Sequence, residues 1–374
     1  MAINIYTDND LILNRAKAAL KTVFVADSLA MPVHWFYRTE DIYHAFPGGI
    51  KKFEDAPQYH PSSIMSLHST QQGGRSYHTN NKSENIIGGV IMKGREDHWD
   101  KPNRHYHHGM KAGENTLNVH CLRTLIQSII DLKGRYNNQY FLESYVSMMT
   151  AKKPLHNDTY AESYHRGFFA NYINGNDLQS CAAKTHDTAS IGGLVSIGPL
   201  AMSLFLSGHD SLYVQDQCKS HLYSTHPDES LASICSDYVE LINDLLFCDD
   251  YQSTLDILKD ALKKASLNSI RSDDFSEIDD HSIVGMKYST ACYISGSWPS
   301  VLFLACKYHN DIKKGLLVNT NLGGDNVHRG TVLGFILGLC QEGNRIQTID
   351  EWFFQLKGHL SIKTEMRYLF QSIM

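Results

Sequence analysis

Three glycines, Gly330, Gly334 and Gly338, recur at every fourth position of an otherwise apolar run from Val327 to Leu339. The run predicts a helix, and the spacing puts all three glycines on one face of it. A glycine in a helix interior costs about 1 kcal/mol relative to alanine. Three of them on one face imply that another helix approaches closely enough to offset the loss. The chain is therefore predicted to bury this helix inside a helix-on-helix core.

The segment that leads into it reads N-T-N-L-G-G-D-N-V-H-R-G, residues 319–330. A Gly323-Gly324 turn hands over to Asp325, which stands at an N-cap or first-turn position where its charge suits the helix dipole. Free N–H groups at such an end can also bind phosphate. The polar head formed by Asp325, Asn326, His328 and Arg329 is expected to open into an internal cleft. A well-capped core helix without a ligand would carry the same residues.

Other helical patterns run from Leu11 to Met31, stopped by Pro32, and from Leu117 to Leu132. Further ones are read over Thr159–Ile173, Ala189–Leu206, Leu231–Leu246, Tyr251–Lys264 and Trp298–His309. Two-residue alternation of β-branched residues is scarce, so the expected class is all-α. No repeat of 20–50 residues and no Gly/Pro/Ser-rich linker divides the chain, so residues 1–374 are read as a single domain. Tyr59 to Asn85 is polar and without period, and reads as a long loop, either a lid or a surface excursion. Asp27, near the end of the first helix, faces an unfavourable dipole and should be either exposed or specifically bonded.

The Leu117–Leu132 helix carries a stripe of Leu122, Leu125, Ile126, Ile129 and Ile130. Continued backwards, that stripe reaches Asn118 and then Asn115 or Glu114, polar residues on a line that should face the core. A buried polar group without a partner costs about 1–3 kcal/mol. An internal polar site is one explanation; a stripe that ends before the core is the other. Two helices that each begin with carboxylate-plus-amide chemistry could meet. Glu114 and Asp325 would then pair to hold a hard cation or to perform acid/base work. Two unrelated caps remain the alternative. The histidines 105, 107 and 108 lack metal-helix spacing and read as hydrogen-bonding or surface residues.

Composition narrows the classes of function. With 34 Lys+Arg against 40 Asp+Glu the net charge is −6, and no basic stripe interleaved with aromatics is present, so nucleic acid is not an expected partner. The longest apolar stretches fall well short of the ~20 residues that cross a bilayer. Eight cysteines lack any C-x-x-C pair and read as small buried hydrophobes. The first ten residues do not resemble a signal peptide, so the default expectation is a cytoplasmic protein, although export without a cleaved signal would look the same. Sequence signatures of a nucleophile elbow, a phosphate loop, a zinc helix and a dinucleotide fold are all missing.

Five segments together resemble the ADP-ribosylglycohydrolase superfamily. They are A-D-S-L-A-M-P-V-H-W (26–35), G-M-K-A-G-E-N-T-L-N-V-H (109–120), H-N-D-T-Y-A-E-S-Y-H-R-G-F-F-A-N-Y (156–172), the Gly192–Leu206 helix and N-T-N-L-G-G-D-N-V-H-R-G-T-V-L-G (319–334). Within the superfamily the resemblance points to the branch of J-type crystallins and selenoprotein J. It implies a compact, orthogonally packed all-α domain with a central cleft and chemistry at the anomeric carbon of ADP-ribose. ADP-ribose or an ADP-ribosylated protein would be the partner.

The resemblance also implies two magnesium ions, held by an early T-D-D-T-type and a late G-G-D-T-D-T-type segment. Here the early segment is Gly113-Glu114-Asn115-Thr116, and Val327 and His328 replace the later aspartate and threonine of the other. Two carboxylates, Glu114 and Asp325, remain of four. They are the expected catalytic pair. They would hold one magnesium ion at most, or none, with Arg329 or His328 then supplying positive charge. Asn115, Asn118, Gly323, Gly324, Asn326, His328, Arg329 and His107 are the expected substrate-binding residues. A degenerate relative that binds nucleotide, or serves a crystallin-like structural role, would keep the same scaffold.

Overall fold

The computed structural model describes residues 8–65, 86–248, 251–266, 270, 275–341 and 345–374. Most of the loop expected over 59–85 therefore lies outside the described residues. The helices are α1 (Asp8–Ala30), α2 (Thr39–Ala45), α3 (Leu117–Asp131), α4 (Asn138–Met149), α5 (Ser163–Ile173), α6 (Ile197–Leu206), α7 (Ser211–Tyr223) and α8 (Glu229–Phe247). They continue as α9 (Tyr251–Ala265), α10 (Asp280–Ile283), α11 (Ile294–Tyr308), α12 (Ile312–Asn321), α13 (Asn326–Leu339), α14 (Arg345–Phe353) and α15 (His359–Ile373). Among the described residues there is no strand, only isolated bridges such as Ser190 with Tyr293. The fold is all-α, as the periodicity predicted.

The centre of the molecule is the packing of α13 on α1. Every residue of α13 is buried. A Cβ on Gly338 would lie 2.6 Å from the backbone nitrogen of Ala19, and one on Gly334 would lie 3.0 Å from Thr22 Cγ2 and 3.1 Å from Ala26 Cβ. The glycine stripe thus admits α1, whose facing residues are themselves small. Around this pair, α11 and α12 pack against α13, α14 against α1, and α3 against α4 and α15.

Several segments differ from the sequence reading. The helix expected over Ala189–Leu206 is a short 3-10 turn (Ile191–Leu194) followed by α6, and that expected from Thr159 starts only at Ser163. Glu162, just before α5, belongs to the site described below, and Ala189 and Ser190 pair with the segment around Tyr293. Short or weakly amphipathic helices such as α4, α7 and α12 were not legible as helical patterns. All eight cysteines are free thiols. Among the described residues no helix is long and apolar enough to cross a membrane.

Candidate active site

Two turns that are far apart in sequence are stitched together at the head of α13. Trp35, with a left-handed φ of 61°, donates its N–H to the carbonyl of Gly324 at 2.8 Å, and Gly324 N–H returns a bond to the carbonyl of Phe36 at 2.7 Å. Asp325 N–H donates to the Thr290 carbonyl at 2.8 Å. Gly323 and Gly324 both have positive φ, 69° and 66°, and a Cβ on either would overlap a backbone carbonyl oxygen, that of Phe36 or Thr290. Only glycine fits this junction. It carries His34 to Asp325.

Asp325 occupies the N-cap position of α13, but its side chain makes no capping bond. Its carboxylate turns instead to two imidazoles. Oδ1 lies 3.0 Å from His34 Nε2 and 2.8 Å from His328 Nδ1, and Oδ2 lies 3.0 Å from the same His328 nitrogen. All three residues are buried. On its far side His328 Nε2 lies 2.6 Å from Asn118 Nδ2 and 3.4 Å from Glu162 Oε1. Behind His34, Nδ1 lies 2.8 Å from His107 Nε2, and His107 Nδ1 lies 2.7 Å from Asp158 Oδ1. A continuous polar chain therefore runs Asp158, His107, His34, Asp325, His328, Glu162 through the interior.

The chain ends are fixed by helix termini. Asp158 Oδ2 accepts the first N–H of α3, from Leu117, at 2.7 Å, where a carboxylate is favoured by the dipole. Glu162 stands at the N-cap of α5 and accepts a bond from Asn118 Nδ2 at 2.8 Å, while Asn118 Oδ1 accepts from the Tyr164 hydroxyl at 2.6 Å. The second oxygen of Glu162, Oε2, is buried without a hydrogen-bond partner, although His165 Nε2 approaches to 3.5 Å.

Burial and charge act against each other along this chain. Burial alone would raise the carboxylates, but the hydrogen bonds and charge of His328, helped by His34 at Asp325 and by His165 at Glu162, hold both well below the usual range. Burial alone would lower His328, but Asp325 and Glu162 raise it to about 10. Burial lowers His34 to about 3 despite its bond to Asp325, whereas Asp158 raises His107 against the same burial.

Asp325, His328 and Glu162 line a cavity of about 410 Å³. Its walls are aromatic, with Trp35, Tyr37, Tyr106, Tyr160, Tyr164 and Tyr293, and Asp187 adds a third carboxylate. Among the described lining residues there is no lysine or arginine.

The residues expected from the sequence fall into three groups. His328 and Asp325 meet in the cleft, and Asn118 touches the same cluster from behind. His107 supports His34 and is fully buried. The others are placed elsewhere. Glu114 is not brought to Asp325: its carboxylate accepts from Lys111 N–H at 2.9 Å and Asn157 Nδ2 at 2.8 Å, closing a turn ahead of α3. Asn115 donates to the Phe24 carbonyl at 2.8 Å and to Asp27 Oδ2 at 2.9 Å. Thr116 binds the same aspartate through its N–H and hydroxyl, so Asp27 is the specifically bonded residue of the two alternatives.

Nor does the glycine turn offer N–H groups to a phosphate. Those of Gly323, Gly324 and Asp325 are already given to the carbonyls of Thr320, Phe36 and Thr290. Arg329 does not reach the cavity wall: its guanidinium is wrapped by Asn319 Oδ1 (2.8 Å) and the carbonyls of Asn319 (3.1 Å) and Gly323 (2.8 Å), and it meets Asp325 only through its charge. Asn326 likewise spans inward, to the carbonyls of Thr320 and Val33. These two residues hold the glycine turn in shape.

The two-magnesium ligand set that the resemblance implies is not assembled here. Val327 is buried apolar, Glu114 is engaged elsewhere, and Asp325 shares its place with two imidazoles. The sequence reading missed His34, Asp158, Glu162 and Asp187. The first three lie inside the quoted segments 26–35 and 156–172, and the signal that could have found them is an acidic or imidazole side chain just outside a buried helix end.

Comparison with known proteins agrees with this architecture. The chain matches the family model described as ADP-ribosylglycohydrolase over residues 8–372. A solved structure titled "ADP-ribosylglycohydrolase-related protein complex" superposes with a TM-score of 0.58 at 14% sequence identity, covering 97% of this chain and 99% of that one. A search of curated proteins gives no match. A family match over nearly the full length, on a chain whose glycine turn and α13 build the floor of its central cleft, places this protein in the ADP-ribosylglycohydrolase family.

Proposed function

We propose that the chain is a hydrolase that cleaves a glycosidic bond at the anomeric carbon of ADP-ribose, attached to protein or to a small molecule. The observation that carries this reading is the convergence of Glu162 and Asp325 on His328 at the floor of one cavity, from segments more than 160 positions apart. Both carboxylates are held ionised. With the cationic His328 between them the pair keeps one net negative charge at the cavity, which stabilises the oxocarbenium-like transition state of glycosidic cleavage. Glu162, which borders the cavity, is the group that would orient the attacking water. Asp325 would fix His328, and through it the water site. The aromatic walls offer stacking faces for a base or a sugar.

The test is turnover of arginine-, serine- and acyl-linked ADP-ribose by the purified protein, with and without added divalent cations. Release of ADP-ribose that is lost in Glu162→Gln supports the reading. Inactivity of the wild type across the panel and all cations sinks it.

A second reading is a degenerate member, close to the crystallin branch, that binds a nucleotide or serves a structural role. The observation in its favour is the lining itself, with three carboxylates and no described lysine or arginine to meet a diphosphate. Calorimetry with ADP-ribose separates the two: tight binding without turnover favours a binder, and neither favours a structural protein.

A further inference from the structure

We infer that His34, Asp325 and His328 form a site for one borderline divalent cation of the zinc class, where the two-magnesium ligand set is not assembled. The three donor atoms lie within 4.8 Å of one another, and all three residues are buried. Two imidazole nitrogens approach the same oxygen, Asp325 Oδ1, at 3.0 and 2.8 Å. Donors that share a tetrahedral ion at about 2.1 Å sit about 3.4 Å apart, so the donors must open by about half an ångström to admit the ion. Imidazole nitrogen with one carboxylate suits zinc and its neighbours, not magnesium.

Four further observations point the same way. First, each imidazole has an outer partner of the kind that orients a metal ligand. His34 Nδ1 is backed by His107, which is backed by Asp158, and His328 Nε2 faces Glu162 Oε1. Second, His34 Nε2 and His328 Nδ1 come from separate segments yet are both directed at Asp325 Oδ1, so the three donors converge on one point. Third, Glu162, whose Oε1 lies 3.4 Å from His328 Nε2, also lines the cleft and adds a carboxylate beside the three donors. Fourth, the cleft lining is acidic, which raises the local concentration of cations. In the metal-bound form His328 carries its proton on Nε2, facing Glu162 Oε1, and Asn118 Nδ2, 2.6 Å away, must draw back.

The site stands on its donor set and does not depend on the hydrolase reading. The experiment uses the full-length protein, stripped with a chelator and titrated with Zn²⁺ and separately with Co²⁺. One equivalent of Zn²⁺ is expected to bind, not displaced by millimolar Mg²⁺. Binding should be about 100-fold weaker in His34→Ala and unchanged in the control His209→Ala, which alters an exposed histidine. Co²⁺ on the wild type should show the visible absorption of a four- or five-coordinate ion with nitrogen ligands. That reading needs no variant, so a misfolded His34→Ala leaves the test intact. No stoichiometric Zn²⁺ binding, a Co²⁺ spectrum of the hydrated ion, or equal Zn²⁺ affinity in a folded His34→Ala overturns the site. Zn²⁺ bound without any turnover of ADP-ribosyl compounds upholds the site and counts only against the hydrolase. Full turnover by the stripped protein with no Zn²⁺ bound upholds the hydrolase and removes the site.

Discussion

His34 Nε2 lies 3.0 Å from Asp325 Oδ1, although 291 positions separate the two residues. The contact depends on the paired backbone bonds between Trp35, Phe36 and Gly324, which join the end of α1 to the start of α13. The close packing of these two helices along the glycine stripe and the polar cluster at their ends are one construction: the helices register against each other, and their termini deliver an imidazole and a carboxylate to the same point.

Asp325→Asn tests that point directly. The amide keeps the volume but removes the charge that two histidines face, and it sets an N–H against a ring nitrogen. Hydrolysis of an ADP-ribosyl substrate is expected to fall about 100-fold or more, the usual scale for removing a charged group aimed at the reacting centre. Circular dichroism should show an intact helical fold. An Asp325→Asn variant with turnover within a few-fold of wild type would remove Asp325 from the chemistry.

Glu162 and Glu114 can be separated by the same substitution. Glu162→Gln removes the carboxylate that faces the cleft and should lower turnover by about 100-fold. Glu114→Gln alters a turn outside the cleft, where the loss is that of one or two hydrogen bonds, about 1 kcal/mol of stability, with turnover within about twofold. A Glu114→Gln protein as inactive as Glu162→Gln would restore the pairing that the sequence suggested.

How far the sequence could be read follows from what kind of signal each feature leaves. The α13–α1 packing was legible because glycine spacing has a steric meaning independent of partners. Asp325 and His328 were legible because they head that helix. Glu114 and Asp325 lie apart for a physical reason that the sequence does not carry: the turn-closing role of a carboxylate at the polar start of α3 looks the same as a site role. The same holds for Asn115 and Arg329, since a buried polar residue that braces a backbone carbonyl cannot be told in sequence from one that faces a ligand. His34 and Glu162 were hidden because each is defined by a partner more than a hundred positions away, and only the fold supplies that distance.

Gly338→Ala is a stability prediction with a sign that discriminates. On helix propensity alone the change should stabilise by about 1 kcal/mol. The new Cβ would instead lie 2.6 Å from the Ala19 backbone nitrogen, which no rotamer change can relieve. Net destabilisation of about 1–3 kcal/mol is expected from overpacking, read by urea or thermal unfolding. Unchanged or raised stability would mean that α1 and α13 do not approach so closely.

Asp27 gives a pH dependence that runs against the usual direction for an aspartate. Burial raises its pKa to about 6, with bonds from Thr116 and Asn115 and the nearby charge of His107 only partly countering it. The unfolded chain titrates near 4. A raised folded pKa means that the fold binds the proton more tightly than the unfolded chain does. Its contribution to stability is therefore full below about pH 4 and is lost as the pH rises through about 6. Two units correspond to about 3 kcal/mol. Asp27→Asn removes the proton from this balance while imposing its own constant penalty, because the amide sets N–H groups against Thr116 and Asn115. The stability of wild type minus that of Asp27→Asn, measured by urea unfolding from pH 4 to pH 7, should fall by about 2 kcal/mol. A difference that instead rises with pH would mean that the three donors around Asp27 outweigh its burial and hold it as a carboxylate.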